Sequence, residues 1–478
     1  MSLKKNFIYN AVYQILLIIL PLITVPYVSR VLGSDGVGIY SYTYSIVYYF
    51  MLISMLGINN YGNRTIAKVK ENKLKLSKTF ISIYAIQIFM NILMVLLYLL
   101  YIKIFDVSYY KIAFIQIIAL LSCLFDVNWF FFGLEKFKLT VTRNIVIKIL
   151  SFGAILLFVK SSDDLWIYTL IMSLSTFIST IILIPFLLKE VTFVKVKFED
   201  IIKNIKPIVI LFIPLLAVSL YKIMDKIMLG SMSIINEVGY YEQSEKIINI
   251  PMGLITALGT VMLPRISNLV EKGDEIAISN YMDKSINFAM FMASPICFGL
   301  MAISNTFIPV FLGDDFYKSS ILIYFLAPTI LFISFANVIR TQYLIPREKD
   351  KIFITSVLGG ACINLVLNYI LIRKMQSIGA CIGTIAAELF VMFYQTYSIR
   401  KKIPVKKYLT DSGIYLYKGL IMFLIVFMIG KININIYIKI IMQIFIGAIL
   451  YAAMNYKYIK SILGGKYGNL KKNQKQVS

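Results

Sequence analysis

Histidine is absent from the 478 residues. That removes every chemistry needing an imidazole: Ser-His-Asp and Cys-His nucleophile systems, histidine-liganded zinc and histidine proton shuttles. Cysteine is scarce. Cys123, Cys297, Cys362 and Cys381 each stand alone in an apolar stretch, with no CxxC spacing. They give neither a metal site nor a disulfide framework, and read as small apolar residues facing helix neighbours or lipid. No Walker A, GxSxG or Rossmann glycine pattern occurs. The acidic pairs Asp163-Asp164 and Asp314-Asp315 fall in expected outer loops, the wrong side for a metal-dependent glycosyltransferase using cytoplasmic nucleotide sugars. The chain reads as a non-enzyme with no cofactor and no metal. Charge is thin and one-sided: charged residues are 15% of the chain, and 48 Lys+Arg against 24 Asp+Glu leave a net +24.

What fills the sequence is hydrocarbon. Hydrophobic residues make up 59%, more than a soluble core absorbs. Apolar segments long enough to span a bilayer recur at 7–29, 39–60, 80–102, 112–133, 144–160, 166–188, 207–230, 238–263, 286–312, 321–345, 352–372, 379–399, 413–430 and 433–455, about fourteen in all. The first is not a cleaved signal: after Lys4 and Lys5, the run Phe7 to Val28 has no A-x-A site and is about twice the length of a signal core. The positive excess therefore orients a membrane protein rather than binding nucleic acid. With the N-terminus inside, inner loops and tail hold 36 of the 48 Lys and Arg. That bias places the chain in the cytoplasmic membrane with both termini in the cytoplasm.

The expected fold is an all-α integral membrane protein. It divides into a six-helix lobe over 1–188, a cytoplasmic interfacial linker over 189–206, a second six-helix lobe over 207–399, two extra helices over 400–455 and a tail over 456–478. The linker mixes Lys195, Lys197, Lys203 and Lys206 with Phe193, Phe198, Ile201, Ile202 and Ile205, the pattern of an amphipathic helix lying in the interface. The tail, rich in Lys, Asn and Gln, reads as disordered. The lobes echo each other. Leu32-Gly33-Ser34 with Val37-Gly38 answers Leu229-Gly230-Ser231 with Val238-Gly239, and Gly133-Leu134-Glu135-Lys136 answers Pro346-Arg347-Glu348-Lys349. Six spans per unit make the repeats parallel, with the working site between them.

Ionisable groups inside spans are costly, so each is a candidate for function. Lys222, Asp225 and Lys226 lie three and four residues apart in the seventh span, which places them on one helix face. They read either as a cationic cavity wall for an anionic headgroup, with Asp225 holding a lysine or exchanging a counter-ion, or as an internal ion pair plus a lysine snorkelling to the interface. Glu388 falls near the middle of the twelfth span, as a proton or cation site or as a hydrogen-bonded carboxyl. Asp126, beside Asn128 and Trp129, suits coupling or helix-end positioning. Arg340, Arg30, Arg64 and Arg265 stand at span ends, where they meet substrate or anchor to lipid phosphate. Glu242 enters the eighth span and can line an outer vestibule. Nine prolines, from Pro21 to Pro328, fall in or beside spans, where they kink helices toward a cavity.

Several stretches together resemble the polysaccharide repeat-unit flippases (Wzx-type) of the multidrug/oligosaccharidyl-lipid/polysaccharide exporter superfamily. They are Pro26-Tyr27-Val28-Ser29-Arg30-Val31-Leu32-Gly33 with Gly36-Val37-Gly38-Ile39-Tyr40, Leu56-Gly57-Ile58 with Tyr61-Gly62-Asn63-Arg64, and Asp126-Val127-Asn128-Trp129 through Lys136. Pro214-Leu215-Leu216, Tyr221 through Gly230, Leu263-Pro264-Arg265-Ile266-Ser267, Phe311-Leu312-Gly313, and Gly379-Ala380 with Gly383-Thr384 and Glu388 complete the set. The resemblance runs from residue 1 to about 400. It implies two six-helix lobes around a central cavity. It also implies movement of undecaprenyl-pyrophosphate-linked oligosaccharide from the inner to the outer leaflet, with membrane lipids and polysaccharide assembly proteins such as the polymerase as partners. The rival readings are a multidrug/cation antiporter or a peptidoglycan-precursor flippase of the same superfamily, and a membrane glycan polymerase.

Overall fold

A computed structural model describes residues 3–105 and 108–462. Among them there is no strand. The helices are α1 (Leu3–Met55), α2 (Ile58–Val69), α3 (Lys73–Ile104), α4 (Tyr110–Ile115), α5 (Ile117–Ser122), α6 (Asn128–Gly133), α7 (Phe137–Phe158), α8 (Leu165–Ile181) and α9 (Ile184–Glu190). There follow α10 (Phe198–Met232), α11 (Ile235–Glu271), α12 (Glu275–Leu312), α13 (Tyr317–Leu326), α14 (Thr329–Ile339), α15 (Asp350–Met375), α16 (Ser377–Ser398), α17 (Val405–Gly430) and α18 (Ile436–Met454).

Twelve helices among the described residues are long and apolar enough to cross a membrane, thirteen if the pair Asp314–Leu326 and Thr329–Leu344, bent by 45°, is one span. The expected fourteen is reached only if α1 divides. At 53 residues, α1 would run about 80 Å, more than twice the hydrocarbon thickness. Gly33 interrupts it with φ 65° and ψ 179°, a left-handed backbone that glycine adopts without a Cβ penalty.

Two readings need correction. No separate amphipathic helix covers 189–206. Residues 191–197 form no helix, and Phe198 opens α10, which continues unbroken to Met232. The β-branched run Val191-Thr192 with Val194 and Val196 disfavours helix, whereas Glu199 and Asp200 sit in the first turn of α10, where acids suit the helix dipole. The tail is helical from Tyr456 to Ile462; the expected disorder over 463–478 lies outside the described residues.

The chain forms two compact units, Met1–Gln243 with Val357–Gly383, and Ser244–Ser356 with Thr384–Ser478. In the first, the core gathers around Trp129, which is fully buried with Ile58, Ile66, Ile83 and Phe130. Its indole stacks on Phe80 at 5.4 Å and donates to Gln87 Oε1 at 3.0 Å. Gly62 of α2 lies flat beneath the ring, and a Cβ there would stand 2.3 Å from it. A Cβ on Gly133 would likewise stand 2.7 Å from the Ile66 side chain. The Tyr61-Gly62-Asn63-Arg64 and Asp126-to-Lys136 stretches are thus partners in one contact. Gly62→Leu is expected to cost about 1–3 kcal/mol by overpacking. The check is thermal unfolding of the purified protein with Trp166 changed to Phe, so that Trp129 alone reports; an unmoved transition would show that the ring is free to shift.

In the second unit α12 is the central rod, packing against α13, α14, α17 and α18. Ala302, Met422, Val426 and Tyr451 make its core. Lys407 pairs with Asp283, and Arg347 with Glu275 at 2.6 Å. Glu348 ends its turn with φ 52°, and Lys349 N donates to Leu344 O at 2.9 Å. In the first unit Glu135 has φ 59° and Lys136 N donates to Phe131 O at 2.9 Å. The faint sequence echo between these segments is the same backbone turn made twice.

Candidate functional site

In the first unit, α10, α11, α1 and α15 bring polar groups together inside apolar surroundings. Lys226 is 9% exposed and its Nζ lies 2.6 Å from Glu242 Oε2. Ser41 of α1 donates to the same carboxylate oxygen at 2.9 Å. Asp225, one residue back, faces elsewhere. It is 1% exposed. Its Oδ2 accepts from the Tyr241 hydroxyl and its Oδ1 from Asn368 Nδ2, both at 2.6 Å. Asn368 Nδ2 also reaches Asn364 Oδ1 at 3.1 Å, and both amides are fully buried.

The local sequence explains the placement. Consecutive residues of a helix point about 100° apart, so Asp225 and Lys226 turn to different neighbours. Tyr241 and Glu242 are also consecutive, and each meets one of them. Burying a lysine and a carboxylate costs several kcal/mol apiece, which only close pairing and extra hydrogen bonds offset. The Ser41 hydroxyl supplies one such bond. Lys222 is exposed, and no partner for it is found among the described residues. The cluster therefore offers an open cation four residues before one held by a counter-charge.

The remaining candidates stand in other places. Asp126 lies between a 3-10 turn and α6, and its Oδ1 accepts from the Asn128 backbone N–H at 3.0 Å and from Asn128 Nδ2 at 2.6 Å. Asn128 Oδ1 accepts from Arg143 Nη2 at 3.0 Å. These bonds tie Asp126 to the start of α6 and, through Asn128, to Arg143 of α7. Arg30, Arg64 and Arg265 are exposed, the last with its guanidinium 4.4 Å from the Tyr281 ring centre. Arg340 donates to Asn337 Oδ1 at 2.6 Å and opens a π-helical turn, Arg340–Leu344. Glu388 is 8% exposed.

Sequence reasoning passed over Asn364, Asn368, Tyr241, Ser41 and Arg143. The asparagine pair carried a usable signal: two amides four residues apart in an apolar helix share one face, and each needs a buried partner. Glu237 was also unremarked. At 2% exposed, it accepts from the Ser377 backbone N–H at 3.2 Å and from its hydroxyl, placing a carboxylate at the N-terminus of α16. No group of three or more Cys, Asp or Glu able to hold a metal occurs among the described residues.

Comparison with known proteins gives three findings. Residues 3–270 match the family described as polysaccharide biosynthesis protein. A protein of Escherichia coli (strain K12) named "Putative O-antigen transporter" is 25% identical over 396 residues, covering 82% of this chain and 95% of that one. Among solved structures, a lipid II flippase MurJ in an inward closed conformation superposes with a TM-score of 0.78 at 16% identity, covering 96% of this chain and all of the other.

Proposed function

The chain belongs to the polysaccharide biosynthesis protein family, and from that premise we propose that it is a flippase. It moves undecaprenyl-pyrophosphate-linked oligosaccharide from the inner to the outer leaflet of the cytoplasmic membrane. Both termini face the cytoplasm, as the Lys and Arg bias requires. The observation that carries the reading is the cation cluster on α10: Lys226 buried beside Glu242, and Lys222 open.

A pyrophosphate cannot shed its water into hydrocarbon unaided. Ammonium groups along the path replace that hydration with charge-assisted hydrogen bonds. Lys222 makes the first contact. Lys226 exchanges Glu242 for a phosphate oxygen, while Ser41 keeps a hydrogen bond on the released carboxylate. The lipid tail stays in the bilayer throughout. The halves 1–188 and 207–399 alternate between inward and outward exposure of the path, and no covalent bond is made or broken. The family and the Escherichia coli relative support this substrate class. A polysaccharide polymerase is the natural partner receiving the product. The cation-antiporter alternative fits poorly, because Lys222 repels an organic cation.

Reconstitution tests the proposal. Vesicles holding the purified protein and fluorescent undecaprenyl-pyrophosphate-linked oligosaccharide should expose inner-leaflet label to an external quencher. Quenching no deeper than in protein-free vesicles would refute the reading.

A further inference from the structure

At the junction of α1, α3, α10 and α11 the first unit has a polar cavity apart from the lysine cluster. Its volume is about 590 Å³, within the range of small-ligand sites. Three tyrosines, Tyr42, Tyr101 and Tyr109, line it with Ser108, Ser233 and Asn236. Among the described residues no charged side chain contributes to the lining.

The aromatic walls are fixed in place. Tyr101 packs on Tyr98 at 6.2 Å and on Phe105 at 5.2 Å. Tyr98 is itself 1% exposed and donates to Ala113 O at 3.2 Å. Tyr42 is pressed by the backbone of α10: a Cβ on Gly230 would lie 2.1 Å from its ring. Polar capacity is left over. The Ser233 hydroxyl oxygen is buried and has no hydrogen-bond partner among the described residues. Asn236 spends one amide proton on Ser34 Oγ at 3.0 Å and keeps its carbonyl face.

We propose that this cavity is a subsite for neutral sugar, where the glycan part of the translocated lipid rests. A pyranose has an apolar C–H face, which suits a tyrosine ring, and a rim of hydroxyls, which suits serine and amide groups. A phosphate would want cations, and a lipid tail would not leave hydroxyls in the wall. On the orientation assigned above, the cavity is on the outer side, where the released glycan emerges. The proposal rests on the flippase reading and adds to it a separate place for the sugar.

The test uses reconstituted full-length protein and two probes, undecaprenyl-pyrophosphate carrying a single N-acetylglucosamine and the same lipid carrying a neutral trisaccharide. Tyr42→Ala is expected to slow the trisaccharide lipid about tenfold and the monosaccharide lipid hardly at all, matching the loss of one stacked ring. Tyr42→Phe keeps the stacking face and should restore the rate. Ser233→Ala should slow the trisaccharide alone. Equal slowing of both probes, or no rescue by phenylalanine, overturns the subsite. Neither probe moving with the wild-type protein would instead refute the flippase reading. Should Tyr42→Ala not fold, Gly230→Ala, which displaces the Tyr42 ring without deleting it, must show the same preference for slowing the trisaccharide.

Discussion

Lys226→Ala is expected to abolish export of surface polysaccharide, and the double variant Lys226→Ala/Glu242→Gln is expected not to restore it. The two variants separate charge in the path from charge in the frame. The single change leaves Glu242 buried without its cation at 2.6 Å, a loss of about 3–5 kcal/mol when one partner of a buried pair is removed. A fall in the amount of protein would then account for lost export on its own. The double variant removes both charges at once, and such neutral replacements are often tolerated. Its membrane level should recover.

If Lys226 only braces α10 against α11, export recovers with the protein. If it receives a phosphate, export stays lost at normal protein level. Lys226→Arg keeps the charge and should retain part of the activity. Lys222→Ala adds an independent arm, because Lys222 is exposed and its loss leaves no buried charge behind. Losing a hydrogen bond to a charged group costs about 1.5–3 kcal/mol, or roughly 10- to 100-fold in rate. Measuring surface polysaccharide against membrane protein level in a strain without its own flippase settles the matter. Normal export by the double variant and by Lys222→Ala would end the cationic-path reading.

Much of the fold could be read in the chain because the bilayer allows few choices. Every backbone group in hydrocarbon must be paired within its own segment, so long apolar runs have to be helices. The interruption at Gly33 and the bend between α13 and α14 were less visible, because a kink leaves hydropathy almost unchanged. The non-helical residues 191–197 were missed for a related reason. Their alternation of apolar and basic side chains fits both an interfacial helix and a strand-like linker, and length alone does not decide. The site was legible only in part. Lys226 and Glu242 declare themselves as charges in apolar sequence, but their pairing needs the crossing of two helices. Asp225 and Asn368 are separated by 143 residues, and no local pattern joins them. Arg143 stands in α7 and meets Asn128 only through the fold.

Adding one methyl group to Gly38 or to Gly239 is expected to destabilise the protein, because each would drive a Cβ into the backbone of the other segment. The two glycines occupy matching places in the two echoing segments, and they face each other. A Cβ on Gly38 would lie 2.2 Å from the Ile235 carbonyl oxygen, and one on Gly239 would lie 2.1 Å from that of Ser34. Each would also stand 3.2 Å from the other glycine's nitrogen. Ser34 and Ile235 are each four residues before their own glycine, so the contact is reciprocal, as between copies related by a twofold axis. Backbone oxygens cannot rotate aside as side chains do. The helices must part, and the Asn236–Ser34 hydrogen bond at 3.0 Å goes with the contact. Overpacking of this kind costs about 1–3 kcal/mol. The signature is in the pairing. Once Gly38→Ala has separated α1 from α11, Gly239→Ala meets a gap already opened, so the double variant should lose less than the two singles combined. Thermal unfolding of the three variants gives the coupling, and additive losses would mean that the glycines do not share one contact. Reconstituted transport supplies the functional arm: a contact that has to re-form in every cycle predicts loss of flipping in Gly38→Ala at normal membrane level, whereas a contact that only holds the fold predicts flipping in proportion to the protein that survives.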